Sequence, residues 1–356
     1  MALYSPEQLE RLVTSRPRVR LISGPTPLYP LENLAAELGL KEILVKRDDL
    51  TGLVLGGNKS RKLEFILADA IAHGADTIIT WGSLQSNWCL QTAASARRCG
   101  LRPVLLLFKT YDLPLINQGN ILLEKLLEAE IQVRETEKKG KSPDQAQAFR
   151  LLEEMAEVER KKGHQPYLVS VGGSASGGHL KKPLGAMAYV LSLLEIYRQT
   201  AASAPPDYLV VASGSGGTQA GLLVGARALG LKTKIIGICV SDKKEEFLPV
   251  VRQIALELVE FLGLDLTLEE TDLILLDDYL GAGYGQVTPE VSAVIRRLLQ
   301  KEALVLDPVY TSKAMLGLID LARKKYFQPG DRVLFLHTGG VPALFAFPDR
   351  LLAEAG

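Results

Sequence analysis

The stretch Leu209-Val210-Val211-Ala212-Ser213-Gly214-Ser215-Gly216-Gly217-Thr218-Gln219 passes from four apolar residues into a turn of serines and glycines and then into a segment of helical period. Buried strand, tight turn and helix in that order form the repeating unit of an α/β fold with parallel strands. Glycines in such a turn let main-chain N–H groups close on an anion, and the dipole of the next helix favours negative charge. Three readings of the turn stay open. A dinucleotide fingerprint requires a third Gly or Ala where Gln219 stands, although Asp242 after the next strand suits the ribose-binding acid. A nucleotide P-loop requires Gly-Lys-Ser/Thr, and this turn holds no lysine. The third reading is a strand-to-helix turn that binds nothing.

Outward from this unit, the same alternation continues. Short apolar runs at Ile43 to Lys46, Thr77 to Thr80, Val104 to Phe108, Tyr167 to Val171, Tyr208 to Ala212, Ile235 to Val240 and Arg332 to His337 read as buried strands. Between them Lys59 to His73, Leu90 to Cys99, Ala146 to Lys162, Gly185 to Arg198 and Thr218 to Leu229 have helical length and spacing. The expected class is α/β with largely parallel sheets and right-handed crossovers. Strands run into the turns Trp81-Gly82-Ser83, Gly172-Gly173-Ser174, Ser213 to Gly217 and Thr338-Gly339-Gly340. Ligands of open α/β sheets bind at strand carboxyl ends, so these turns are expected to ring one cleft.

At 356 residues the chain suits two packed units sharing a site. Its 47% hydrophobic content and 23% charge belong to an ordinary globular protein. Lys+Arg and Asp+Glu both total 41, so no global field favours nucleic acid or an anionic membrane. No charge-free apolar run reaches membrane length, and the first twenty residues lack the apolar core of a signal peptide. Cys89, Cys99 and Cys239 follow neither a disulfide nor a zinc pattern, which fits reduced thiols in the cytoplasm. His73, His164, His179 and His337 are scattered without metal or triad spacing, so no metal is expected, and His337 reads as a structural strand-end residue. The basic segments Lys138 to Ser142 and Arg160 to Gly163 read as solvated loop or helix end.

Four groups are candidates for chemistry. In Gly56-Gly57-Asn58-Lys59-Ser60-Arg61-Lys62, Lys59 follows a flexible approach at a helix start, where neighbouring cations lower its pKa and sharpen its amine toward an aldehyde; a surface lysine is the alternative. Gln85-Ser86-Asn87 precedes a helix and offers hydroxyl, amide and main-chain donors to a carboxylate or ring oxygen; an ordinary N-cap is the plainer alternative. Tyr284 between Gly283 and Gly285, and Tyr310-Thr311 after Asp307-Pro308-Val309, are turn aromatics or acid-base groups.

Together, Pro25-Thr26-Pro27-Leu28, Lys46-Arg47-Asp48-Asp49-Leu50-Thr51, Gly56-Gly57-Asn58-Lys59, Gln85-Ser86-Asn87, Gly172-Gly173-Ser174, Ser213 to Thr218, Asp307 to Thr311 and His337 to Gly340 occur in one order. In that order they resemble the 1-aminocyclopropane-1-carboxylate deaminase and D-cysteine desulfhydrase family of pyridoxal-phosphate enzymes, from about Ser23 to Phe347. The resemblance implies fold type II, the tryptophan-synthase-β-like fold. The larger domain would comprise residues 1–54 and 182–356, the smaller inserted domain 55–181, and the assembly would be a homodimer. It implies pyridoxal 5'-phosphate on Lys59 as a Schiff base, with Lys59 also the base at Cα, and Asn87 on the ring oxygen. Ser215, Gly216, Gly217 and Thr218 would bind the phosphate. Tyr310 would lie near the ring and substrate, Ser86 near the substrate carboxylate and Tyr284 near the leaving group.

The sequence departs from the cyclopropane deaminases where those carry Glu after the tyrosine of Asp-Pro-Val-Tyr and commonly Leu before the later Gly-Gly. Thr311 and Thr338 stand there, as in the desulfhydrases. A neutral hydroxyl stabilises a protonated pyridine nitrogen less than a carboxylate does, so the electron sink is weaker and β-elimination is favoured over ring opening. The expected reaction converts D-cysteine to pyruvate, sulfide and ammonia. The alternatives are cyclopropane deamination, a lyase of a sulfonated amino acid such as cysteate, and a nucleotide-binding regulatory protein using only the Ser213 to Thr218 turn. Trp88 replaces the His of the desulfhydrases beside the substrate loop and either shapes the site or packs beneath its helix, the role expected of Cys89. Ser176 to Lys182 resembles an insertion whose cations would attract an acidic substrate or merely coat an exposed loop.

Overall fold

The apolar runs form two sheets. A computed structural model describes residues 3–110, 116–136 and 144–353; Lys138 to Ser142 lies outside them. The strands among them are β1 (Leu28–Pro30), β2 (Glu42–Arg47), β3 (Thr77–Ser83), β4 (Arg102–Lys109), β5 (Glu130–Glu135), β6 (Pro166–Leu168), β7 (Tyr208–Ser213), β8 (Lys234–Cys239), β9 (Ile274–Leu276) and β10 (Arg332–His337). The larger sheet has the order β1-β2-β10-β7-β8-β9, and the smaller has the order β5-β4-β3-β6. Every pairing is parallel except β1 with β2. Chain from the middle of the sequence thus builds the small sheet, while both flanking parts share the large one.

Each expected strand is present, several with adjusted bounds: β3 runs on to Ser83 and β8 stops at Cys239. β6 ends at Leu168, and Val171–Gly173 is a short 3-10 turn in which Gly172 takes φ 70°. β1, β5 and β9 were not expected. Two have three residues, and β5 is an edge strand whose Glu-Ile-Gln-Val-Arg-Glu alternation lacks the continuous apolar run of a buried strand. In the centre of the sheets Val104 to Phe108 and Leu209 to Val211 are buried throughout, as strands covered by helices on both faces must be.

Two features fix the helices that carry the site. The first is close packing of Leu184–Gln199 on Gly217–Ala228, where a Cβ at Gly221 would strike the carbonyl oxygen of Ala186 and one at Gly225 the side chain of Leu193. The second is a buried polar network. Arg61, in the helix Lys59–Ala72, donates to both oxygens of Asp48 at 2.8 and 3.0 Å and to Glu195 at 3.0 Å. Tyr189 donates to Asp48 at 2.7 Å, and the ammonium of fully buried Lys46 pairs with Glu195. Removing one member of a buried charge set costs roughly 3–5 kcal/mol because its partners stay buried and uncompensated. This network locks the Lys59 helix to β2 and to Leu184–Gln199.

The Ser176 to Lys182 segment turns back on itself through a Gly177–Leu180 bridge. The His179 N–H donates to the Leu168 carbonyl, and the Leu168 N–H donates to His179 Nδ1 at 3.0 Å, extending the edge at β6. Lys181 and Lys182 are exposed. Arg160 to Lys162 close the helix Gln145–Lys161, where Arg160 and Lys162 pair with glutamates. His337 ends β10 fully buried, with Nε2 at 2.7 Å from the Val305 carbonyl oxygen.

Candidate active site

The glycine turns at the strand ends meet around one cavity of about 290 Å³, as the strand-end argument requires. Gly82 and Ser83 end β3, Gly172 follows β6, Ser213 ends β7 with Gly214 to Gly216 after it, and Thr338 follows β10; all line it. Lys59, Ser86, Asn87, Trp88, Thr218, Tyr284 and Tyr310 complete the expected residues on its wall. Gly217 and Thr311 are not on that wall. Gly217 opens the helix between Gly216 and Thr218, and Thr311 is fully buried behind the cavity.

Lys59 is the first residue of its helix. The loop before it is tightly held: the Gly57 N–H donates to Thr51 Oγ1 at 2.8 Å, and the Thr51 hydroxyl donates back to the Gly57 carbonyl at 3.0 Å. Gly56 takes φ 73°, and a Cβ there would collide with the Asp49 carbonyl, so glycine is required. Asn58 then ties the helix start to two other strand ends, donating from its main chain to the Thr338 carbonyl at 2.9 Å and from Nδ2 to Thr218 Oγ1 at 3.1 Å. Burial pulls the Lys59 pKa down to about 8, opposed by the negative charge of Asp307.

The turn after β7 has the construction of an anion site. The helix Gly217–Ala228 begins at Gly216, which has φ 81° and supplies no side-chain cap. Its Gly217 N–H is taken by the Ser215 carbonyl at 3.1 Å, while Ser215, Gly216 and Thr218 bring the uncapped helix start and two hydroxyls to the cavity. Ser213 Oγ is buried there without a partner among the described residues. Ser174 Oγ lies 2.9 Å from Ser215 Oγ and accepts from the fully buried Lys62 ammonium at 2.9 Å, joining the β6 turn to the β7 turn.

Ser86 is an N-cap and also a cavity residue. Its oxygen accepts from the Cys89 N–H at 3.2 Å at the start of the helix Asn87–Arg98, and its side chain lines the cavity. Asn87 accepts from Asn120 Nδ2 at 2.9 Å through its amide oxygen, so its own NH2 group serves the cavity. Trp88 combines both roles proposed for it. Its indole N–H donates to Thr80 at 2.7 Å, its ring packs on Gly173, and it contributes to the wall. Cys89 is fully buried behind Gly82 and Ser86.

Opposite, two turns bring tyrosines together. The hydroxyls of Tyr284 and Tyr310 are 2.5 Å apart, and Ser83 Oγ lies 3.2 Å from Tyr284. Burial raises the Tyr284 pKa, which keeps its hydroxyl protonated. Asp307, wholly buried, accepts from the N–H groups of Val309, Tyr310 and Thr311 at 2.7 to 3.0 Å and so shapes the Tyr310 turn. The cations of the Ser176 to Lys182 segment do not reach the wall; from its flank only Ala175 does. Asn58, Ser83, Ser174 and Asp307 carry no functional signal of their own in the sequence. Only their place in quoted motifs or strand ends marked them.

An amine of lowered pKa, an anion cradle and a hydroxyl pair in one cavity suit chemistry on an amino acid held by a phosphorylated aldehyde. Residues 19–339 match the family of pyridoxal-phosphate dependent enzymes. A D-cysteine desulfhydrase of Klebsiella pneumoniae is 42% identical over 342 residues, covering 95% of this chain and 98% of that protein. A putative 1-aminocyclopropane-1-carboxylate deaminase of Pyrococcus horikoshii is 38% identical over 342 residues, covering 96% and 97%. The crystal structure of an ACC deaminase homologue superposes with a TM-score of 0.86 at 37% identity over 97% of this chain and 98% of that one.

Proposed function

The chain belongs to the pyridoxal-phosphate dependent enzyme family, and from that premise we propose that it is a carbon-sulfur lyase acting on D-cysteine. The products are pyruvate, sulfide and ammonia. The observation that carries this reading is Lys59 sharing a cavity with the Tyr284 and Tyr310 hydroxyls while a neutral Thr338 precedes Gly339-Gly340. The relatives named for D-cysteine support it further.

The residues fit the cofactor. The Lys59 amine suits its aldehyde, and the uncapped helix start with Ser215, Gly216, Gly217 and Thr218 suits its phosphate. The Ser213 hydroxyl, partnerless among the described residues, adds a donor. The Asn87 amide would hold the ring oxygen, Thr338 would face the ring nitrogen, and Tyr310 would flank the ring. When bound, pyridoxal phosphate supplies an electron sink for charge that develops at the substrate Cα.

The chain's own groups do the rest. Ser86 and the N-terminal N–H groups of Asn87–Arg98 hold the substrate carboxylate. Lys59 takes the Cα proton. The Cβ–S bond breaks with its electron pair on sulfur, and Tyr284, relayed by Tyr310, returns a proton so that hydrogen sulfide leaves. Water then releases pyruvate and ammonia. Trp88 limits substrate bulk. Ring opening of a cyclopropane asks for a stronger sink than neutral Thr338 supports. The proposal includes a homodimer, a cytoplasmic setting that the three free thiols support, and a domain division at 1–54 and 182–356 against 55–181.

A panel of D- and L-amino acids assayed with the holoenzyme for keto-acid, sulfide and ammonia release tests this. D-Cysteine giving the three products in equal amounts is expected. Turnover of the cyclopropane substrate alone would overturn it, and Lys59→Ala retaining turnover and the cofactor's visible band would overturn the role of Lys59.

A further inference from the structure

We propose that Lys313, a residue outside the cavity wall, positions Tyr284 for proton transfer to the leaving group; this rests on the elimination reading above. Tyr284 is carried by a turn with little conformation of its own. Gly281, Gly283 and Gly285 all take positive φ, at 60°, 116° and 70°. A glycine-rich turn pays a large entropy cost to hold a side chain at one point, so an outside clamp is needed.

Lys313 supplies that clamp. It lies on the helix Thr311–Arg323 and is 1% exposed. Its ammonium donates to the carbonyls of Leu280 and Gly283, both at 2.8 Å, and reaches that of Val240 at 3.5 Å. Leu280 and Gly283 bracket Gly281 and Ala282 just before Tyr284, and Val240 follows β8 and precedes the cavity residue Ser241. An ammonium has three donors and no acceptor, so three converging carbonyls satisfy it completely. Bonds from a charged donor are about twice as strong as neutral ones.

The same helix start aligns the second tyrosine. Asp307 binds the N–H groups of Val309, Tyr310 and Thr311, and its charge attracts Lys313 as it does Lys59. One short piece of chain, Asp307 to Lys313, therefore fixes both turns, and the two hydroxyls meet at 2.5 Å as a result. Lys313 is not among the residues lining the cavity, which makes it a positioning residue.

The test uses Lys313→Met and Lys313→Arg holoenzymes beside Tyr284→Phe. Lys313→Met is expected to keep the cofactor's visible band, lower kcat by at least about tenfold and change KM by no more than about threefold, with Lys313→Arg recovering part of kcat. Combined with Tyr284→Phe it should lose no more than the worse single variant. Losses that multiply, or a wild-type kcat in Lys313→Met, would overturn the proposal. A crystal structure of Lys313→Met gives a readout without substrate. The Tyr284 hydroxyl should lie beyond hydrogen-bond reach of Tyr310, whereas an intact pair counts against the proposal even if D-cysteine is not the substrate. If Lys313→Met does not fold, Lys313→Leu, which likewise removes every donor, takes its place under the same criteria.

Discussion

Thr311 and Asp307 hold each other through three short hydrogen bonds: the Asp307 N–H donates to Thr311 Oγ1, and the Thr311 hydroxyl and N–H both donate to Asp307 Oδ1, each at 2.7 Å. The threonine is spent on the turn, not offered to the cavity, so the contrast with the cyclopropane deaminases at this position concerns folding as much as chemistry.

Thr311→Glu is accordingly expected to place a second carboxylate against buried Asp307 and destabilise the protein by about 3–5 kcal/mol, with no gain of cyclopropane deamination. Thermal melts and an assay on the cyclopropane substrate check this. A variant that melts with wild type and opens the ring would refute it.

Lys59 reacts with an aldehyde only as the neutral amine. Burial brings its folded pKa to about 8, below the ordinary 10.5, so the charge is lost as pH rises through about 8. Reloading of cofactor-free protein with pyridoxal phosphate should quicken with pH and level off above about 8. Between about 8 and 10.5 the unfolded chain keeps a proton that the folded protein has released, so thermal stability of the cofactor-free form should rise across that window. Lys313, also lowered to about 8 by burial, adds to the effect with the same sign. A loading curve still climbing at pH 10 would contradict the assignment.

Glu124 is wholly buried, with no partner for either carboxyl oxygen among the described residues, and burial holds its pKa well above 4.5. The fold keeps its proton while the unfolded chain releases it above about 4.5, so stability is lost as pH rises through that range. Glu124→Gln removes the titration. It should melt higher than wild type at pH 8, by an amount worth about 1–3 kcal/mol, with a smaller gap at pH 5. Equal gaps at both pH values would show that Glu124 does not titrate on unfolding.

The α/β class and the ring of strand-end turns were legible because parallel strands covered on both faces read as unbroken apolar runs, and Arg332 to His337 has the expected bounds. β5 was hidden by its edge position. Within the site, the motif residues Lys59, Ser86, Asn87 and Tyr284 converge on one cavity, but composition and spacing alone left each with a plain alternative. Lys62 and Lys313 were not legible at all. A lysine satisfied by buried carbonyls and hydroxyls has the same one-letter code as a solvated one, and only the fold reveals which carbonyls surround it. Trp88 illustrates a related limit, since peg and wall are not exclusive for a ring large enough to be both.

The contact of Gly221 with the Ala186 carbonyl sets terms for anyone evolving this enzyme toward a new substrate. Two helices sealed at backbone distance leave no room for a larger side chain, and overpacking there costs about 1–3 kcal/mol per site. Randomising residues 185–193 or 217–225 would fill a library with unfolded members. Diversity is better placed at Ala175, Glu246 and Val250, which border the cavity away from the catalytic turns, while the packed helices serve as an unvarying chassis.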